Sequence, residues 1–107
     1  MISDERNLIA AFELLYGHYP EPATLVHRSK RIVVANIAAQ KMNWLPGNIC
    51  SQIGPPQAHK GCLASVALRD QTAQVVKMKV AGAEKSVYWI PVAGSPDYYI
   101  HFACTYI

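Results

Sequence analysis

Ile32-Val33-Val34-Ala35-Asn36-Ile37-Ala38-Ala39 changes character at Asn36, and that change decides the fold. Its first half is β-branched and favours an extended chain. Asn36 then offers a side-chain carbonyl of the kind that caps a helix N-terminus. Ile37 opens a short run of helix formers, Ala38-Ala39-Gln40-Lys41-Met42. A strand therefore passes into a helix with one residue between them. Immediately upstream, Thr24-Leu25-Val26-His27-Arg28 is again suited to a strand, and Ser29-Lys30 separates it from the strand over 31–35. This order predicts an antiparallel hairpin, although the turn lacks the Gly or Asn that the tightest hairpin turns use.

Toward the N-terminus, Ser3 is a candidate cap, and Asp4 and Glu5 suit the positive end of a helix. Leu8, Ile9, Phe12 and Leu15 recur at helical spacing, with Tyr16 beside them, and Gly17 is a natural stop. Pro20 and Pro22 impose an extended link to the hairpin. The apolar stripe Leu8, Ile9, Phe12 and Leu15 has two uses, packing on the chain's own sheet or on the helix of a second copy. These four residues are the candidate contacts of a homodimer.

Toward the C-terminus, Pro46-Gly47 marks a turn, a helical turn is expected around 48–53, and Gly54-Pro55-Pro56 breaks the chain. A longer helix is expected over 59–71, with Leu63, Val66 and Ala67 as its apolar stripe. Three strands should follow, over 72–80, 86–92 and 98–107, with turns at Gly82 and at Gly94-Ser95-Pro96-Asp97. Their short links favour an antiparallel meander. In the last strand, period 2 separates Tyr98, Ile100, Phe102, Cys104 and Tyr106 from Tyr99, His101, Ala103 and Thr105. The first set reads as core; the second has two readings, a contact surface or, more plainly, packing of every aromatic.

The chain of 107 residues fits one domain. It is 51% apolar and 16% charged, which excludes a disordered segment. Its net charge of +3 is mild, and the only basic cluster, Arg28, Lys30 and Arg31, falls in the hairpin turn. Nucleic-acid binding needs a broader basic face with aromatic platforms, and none is expected here. No apolar run is long enough to span a membrane. Three cysteines without an apolar signal core at the N-terminus point to a reducing compartment, and a cytoplasmic location is expected.

Taken together, residues 23–107 resemble a PAS domain. The resemblance is carried by the strand, asparagine and small-residue helix start of residues 32–39, by Leu45-Pro46-Gly47 after the first short helix, and by three closing strands after a longer helix. The hairpin turn departs from it, with Arg28-Ser29-Lys30-Arg31 where many members carry Asp and Gly. The resemblance implies an α+β fold: a five-stranded antiparallel sheet with short helices on one face. Residues 1–22 would supply a flanking helix and linker. It also implies a sensor or interaction module of a prokaryotic signalling protein, itself not an enzyme. The output would lie in a kinase, cyclic-dinucleotide or transcription-regulating domain beyond the last strand. A homodimer through the N-terminal helix and sheet, and a small-molecule ligand, are the expected partners.

Some PAS domains also carry a cysteine after the glycine and a polar loop ending in Cys-x-x-Cys. Cys50 matches the first of these positions, Cys62 the last, and His59 stands at the middle one. The match carries over positions and no role.

Cys50, His59 and Cys62 are soft or borderline ligands and support an alternative, a thiol- or metal-based redox protein. A fourth metal ligand would have to come from His101 or Cys104. Cys50 and Cys62 could close a disulfide if the fold brings them together. The plainer reading is that each cysteine packs as a small hydrophobe. His59 and His101 are the candidate axial ligands for haem, and His101 and Phe102 the candidate ligand contacts from the last strand. Gly47-Asn48-Ile49-Cys50-Ser51-Gln52 lacks the Arg and Phe of the flavin-adduct branch. Haem, flavin and metal are each compatible with this set and none is favoured. No phosphate loop, nucleophile elbow or paired general acid and base is present.

Overall fold

The computed structural model describes residues 5–49, 62–80 and 82–105. The elements in chain order are α1 (Glu5–Tyr16), β1 (Ala23–His27), β2 (Ile32–Ala35), α2 (Ile37–Lys41), α3 (Ala64–Asp70), β3 (Gln74–Val80), β4 (Ala83–Val92) and β5 (Ser95–Thr105). The strands form one five-stranded sheet in the order β2-β1-β5-β4-β3, with every pairing antiparallel. The hairpin and the closing meander are thus both present, and β5 joins them by pairing with β1 on one side and β4 on the other.

The hairpin closes on the residues that lack glycine. His27 N donates to Arg31 O at 3.0 Å, Lys30 N donates to His27 O at 2.8 Å, and Lys30 takes a φ of 75°. That left-handed backbone costs a side-chain-bearing residue about 1–2 kcal/mol. Glycine would adopt it freely. The missing turn residue therefore left the turn in place and moved the cost onto Lys30.

Asn36 caps α2 as its position predicts, and it does more. Its Oδ1 accepts from Ala39 N at 2.9 Å and from Ala23 N at 3.0 Å. Its Nδ2 donates to Tyr19 O at 3.0 Å and Glu21 O at 2.9 Å. All four hydrogen-bonding positions of this buried amide are used. One residue fixes the start of α2, the start of β1 and the linker from α1.

Helices cover both faces of the sheet. On one face, Leu8 and Phe12 of α1 pack with Ala23, Leu25, Val33 and Val34, flanked by Ile9, Tyr16, Tyr19, Tyr98, Ile100 and Phe102. On the other, Ala64 and Ala67 of α3 pack with Val26, Trp89 and Tyr99. Ala39 of α2 closes against Ile32 and Ala35 on this same face. Gly17 ends α1: its amide donates to Glu13 O at 3.1 Å, and a Cβ at this position would lie 2.6 Å from that oxygen.

Three expectations need correction. The helix expected over 59–71 is shorter among the described residues, running Ala64–Asp70, and residues 59–61 lie outside them. The strand expected from 86 begins at Ala83, directly after Gly82 at φ 84°, and the one expected from 98 begins at Ser95, because Gly94 at φ 80° completes the turn earlier than the Pro-Asp signal suggests. On β5 the packing reading of the aromatics holds: Tyr99 is 1% exposed and is the largest fully buried side chain among the described residues. Both faces of β5 are core, because each is covered by a different helix.

The two sheet edges differ. Beside β2, Gly47 N donates to Ile32 O and Ile32 N donates to Asn48 O, each at 2.8 Å. Beside β3 no further strand pairs among the described residues, and β3 alternates Val76 and Met78 with Lys77 and Lys79.

Candidate functional site

Cross-strand register places one row of side chains across the face that α2 and α3 cover: Ala35, Thr24, His101, Trp89 and Gln74, from β2 to β3. His101 is the only titratable residue in this row. Its ring stacks on Trp89, with centroids 5.1 Å apart and planes 18° from parallel. Its Nδ1 lies 3.0 Å from Tyr88 O. A carbonyl only accepts, so Nδ1 carries the proton in this contact. Thr24 Oγ1 donates to His101 O at 3.4 Å, tying β1 to the same residue.

One end of the face is filled. Ala64 and Ala67 are fully buried, so α3 sits close against Trp89 and Tyr99. Lys30 reaches back from the hairpin turn, with Nζ 5.7 Å from the centre of the Tyr99 ring and 3.4 Å from Ser65 Oγ on α3. The other end is more open, because His101, Ala103 and Val87 keep part of their surface in solvent. The register puts Ala103 beside Val87 and Val87 beside Val76. The arrangement is a half-buried, largely apolar strip of sheet with one imidazole and one hydroxyl. A separate surface depression of about 260 Å³ lies at the β3–β4 hairpin, between Lys77, Met78, Lys79 and Glu84. It is open to solvent.

The expected site residues divide clearly. His101 lies on the face that α2 and α3 cover. Phe102 points to the opposite face, stacked on Tyr88 with centroids 4.9 Å apart and packed against Tyr16 and Tyr19. The two cannot touch one ligand, since neighbours along a strand face opposite ways. Cys62 carries an exposed free thiol just before α3. Cys50 and His59 lie outside the described residues. Among the described residues, nothing brings Cys62 to His101. Sequence reasoning missed Thr24, whose place beside His101 depends on the β1–β5 register, and Lys30, whose reach depends on the turn.

Of the expected dimer contacts, Leu8 and Phe12 are turned into the chain's own core, at 5% and 3% exposure, and Ile9 packs beside them. Leu15 is 74% exposed, and Leu14, which the spacing did not single out, is 85% exposed. The helix has two apolar sides, one of them exposed and without a partner among the described residues.

The basic turn is satisfied internally. Arg28 pairs with Asp97 at 3.2 Å and Arg31 with Glu5 at 2.8 Å. Glu5 also accepts from the Tyr98 hydroxyl at 2.9 Å. The Arg31 and Tyr98 bonds hold the Glu5 carboxyl below its usual range. Burial and the bond to Glu5 push the Tyr98 hydroxyl up.

No protein-family model and no curated protein matches the chain. Solved structures do match. A sensory box sensor histidine kinase structure from Vibrio cholerae superposes with a TM-score of 0.68 at 14% identity, over 99% of this chain and 98% of that one. The PAS domain of BvgS from Bordetella pertussis gives 0.66 at 15% identity, over 94% and 88%. A domain of an HTR-like protein from Haloarcula marismortui gives 0.65 at 18% identity, over 82% and 99%. No helix among the described residues is long and apolar enough to cross a membrane. With its strand order, its helices on opposite faces and these matches along nearly its whole length, the chain has the PAS fold.

Proposed function

We propose that this chain is a sensor and interaction module of a prokaryotic signalling protein. It holds a small ligand on the sheet face beside His101, Trp89 and Thr24 and passes the change to a second copy through α1 and the sheet on which α1 packs. The chemistry of the output belongs to a partner domain such as a kinase, a cyclic-dinucleotide enzyme or a transcription regulator, and this domain is not itself a catalyst. It works in the cytoplasm.

The observation that carries the reading is the position of β5. His101 lies on the α3 face, while Ile100 and Phe102, its neighbours on the same strand, lie beside α1 on the other face. A ligand that shifts His101 therefore acts on the seat of α1 through one strand, biasing a two-state arrangement by its differential affinity. The exposed Leu14 and Leu15 supply the contact to the second copy.

Native mass spectrometry of the purified chain tests both halves together. The expected result is a dimer carrying a small-molecule adduct. Replacing Leu14 and Leu15 by Glu should weaken the dimer by about tenfold or more, as loss of buried apolar anchors does. A ligand-free monomer at every concentration sinks the reading.

A further inference from the structure

Prolines stop the β1–β5 ladder at a definite place. Ala23 pairs with Phe102 and Thr24 with His101. Ala23 turns its backbone groups toward β2, where its amide meets Asn36 Oδ1 and its carbonyl accepts from Asn36 N. Backbone groups alternate sides along a strand. The next residues upstream to face β5 would therefore be Pro22, opposite Ala103, and Pro20, opposite Thr105. Neither has an N–H to give, and the pairing ends at Ala23.

Two side chains of the linker take over from the missing strand. The Tyr19 hydroxyl donates to Ala103 O at 2.8 Å. Thr105 N donates to Glu21 Oε2 at 2.7 Å, and the Thr105 hydroxyl donates to Glu21 Oε1 at 2.5 Å. Lys85 Nζ stands 3.8 Å from the same carboxylate. The linker is fixed to the fold at the same points, since Asn36 holds the carbonyls of Tyr19 and Glu21. The Tyr19 ring meets Tyr16, the last residue of α1, at 6.1 Å and Phe102 at 5.6 Å.

We infer that Tyr19 and Glu21 form a side-chain latch that couples the docking of α1 to the pairing of β5 beyond Phe102, so that release at either end loosens the other. Ladder bonds unzip in sequence, whereas these bonds are held by two side chains and part without disturbing β1. The far side of β5 stays paired, Ser86 with Cys104 and Lys85 with Thr105. The latch gives the proposed relay a defined element to act on, and in that sense it rests on the sensor reading. The coupling itself belongs to the single chain.

Hydrogen exchange measured by mass spectrometry on the full chain tests it, with Tyr19→Phe, Glu21→Gln and the double variant compared at one concentration and pH. Each single variant should speed exchange about tenfold both in α1 and at the end of β5, as loss of a charge-assisted or buried hydrogen bond does in a locally opening segment. The double variant should give less than the product of the two. Thr105→Val, which attacks the latch from β5, should also speed exchange in α1. Faster exchange at the end of β5 with α1 unchanged overturns the latch, because it makes the two side chains independent caps. A uniform rise that includes β1 and β2 overturns it as well. Exchange reports the coupling whether or not the chain binds a ligand or dimerises, so a failed latch and a failed sensor reading give different results.

Discussion

The two faces of the sheet are closed by opposite means. Under α1, large side chains meet large side chains: Phe12 stacks on Tyr16 at 5.4 Å, and Tyr16 and Tyr19 crowd Phe102. Ion pairs and hydrogen bonds from Glu5 to Arg31 and Tyr98 then fix the helix start. Under α3, the helix contributes two alanines and the sheet contributes Trp89 and Tyr99. The fully buried bulk lies on the strand side, and the helix comes close through its two alanines, with Leu63 and Leu68 packed at their flanks. The α1 face depends on what its helix carries, and the α3 face depends on what its helix leaves out.

The contrast predicts different responses to substitution. Phe12→Ala should cost about 3–5 kcal/mol in urea unfolding, as removal of a buried aromatic does. A loss under about 1 kcal/mol, the size of an exposed contact, would mean that α1 adds nothing to the core. On the other face the damaging change is an addition. Ala67→Leu should cost about 1–3 kcal/mol by overpacking against Trp89 and Tyr99, read as a lower urea midpoint with unchanged slope. If Ala67→Leu is neutral, α3 stands further from the sheet than its buried alanines indicate.

Acid should affect the α1 side first. Glu5 is held below its ordinary range by Arg31 and Tyr98. Burial works against the charge of Glu21, but the Thr105 hydroxyl and amide and Lys85 outweigh it and hold this carboxyl low too. Both folded carboxyls bind protons more weakly than the unfolded chain. Their stabilisation is therefore present above the ordinary carboxylate value of 4.5 and is lost as pH falls below it through their folded values. Tyr19 runs the other way, pushed up to about 12 by burial and by the neighbouring Cys104 and Glu21 charges. Stability should fall as pH rises from about 10 toward 12, while the unfolded tyrosine ionises and the folded one does not. Urea midpoints across pH check both limbs, and a flat acid limb removes the Glu5 and Glu21 contributions.

The smallest expected effect concerns the turn that joins the faces. Lys30→Gly should relieve the backbone cost at φ 75° and lose the contacts to Tyr99 and Ser65. The net should be a gain of under about 1 kcal/mol. A loss would show that Lys30 ties the turn to α3 more strongly than its geometry suggests.

The fold was legible from punctuation: Asn36 after a β-branched run, Pro46-Gly47, and three closing strands separated by glycines. These signals are local, and the structure keeps them because local preference and tertiary packing agree. The site was legible only in part. His101 was named from its chemistry, but its row partner Thr24 is 77 residues away along the chain, and only the β1–β5 register joins them. Period 2 separated Tyr99 from Phe102 correctly, yet it could not say which face a helix would cover, and here both are covered. The α1 stripe left two readings open because Leu8 and Phe12 share a helix with Leu14 and Leu15, while the sheet has room for one side.

The unpaired flank of β3 has a consequence for association between chains. A sheet that ends in an open strand invites a neighbour to extend it without limit. β2 is shielded by residues 47–48. β3 instead carries Lys77 and Lys79 on one side, so two such strands laid edge to edge would bring like charges together before their backbones could bond. Fibre-like stacking is opposed there by ammonium repulsion.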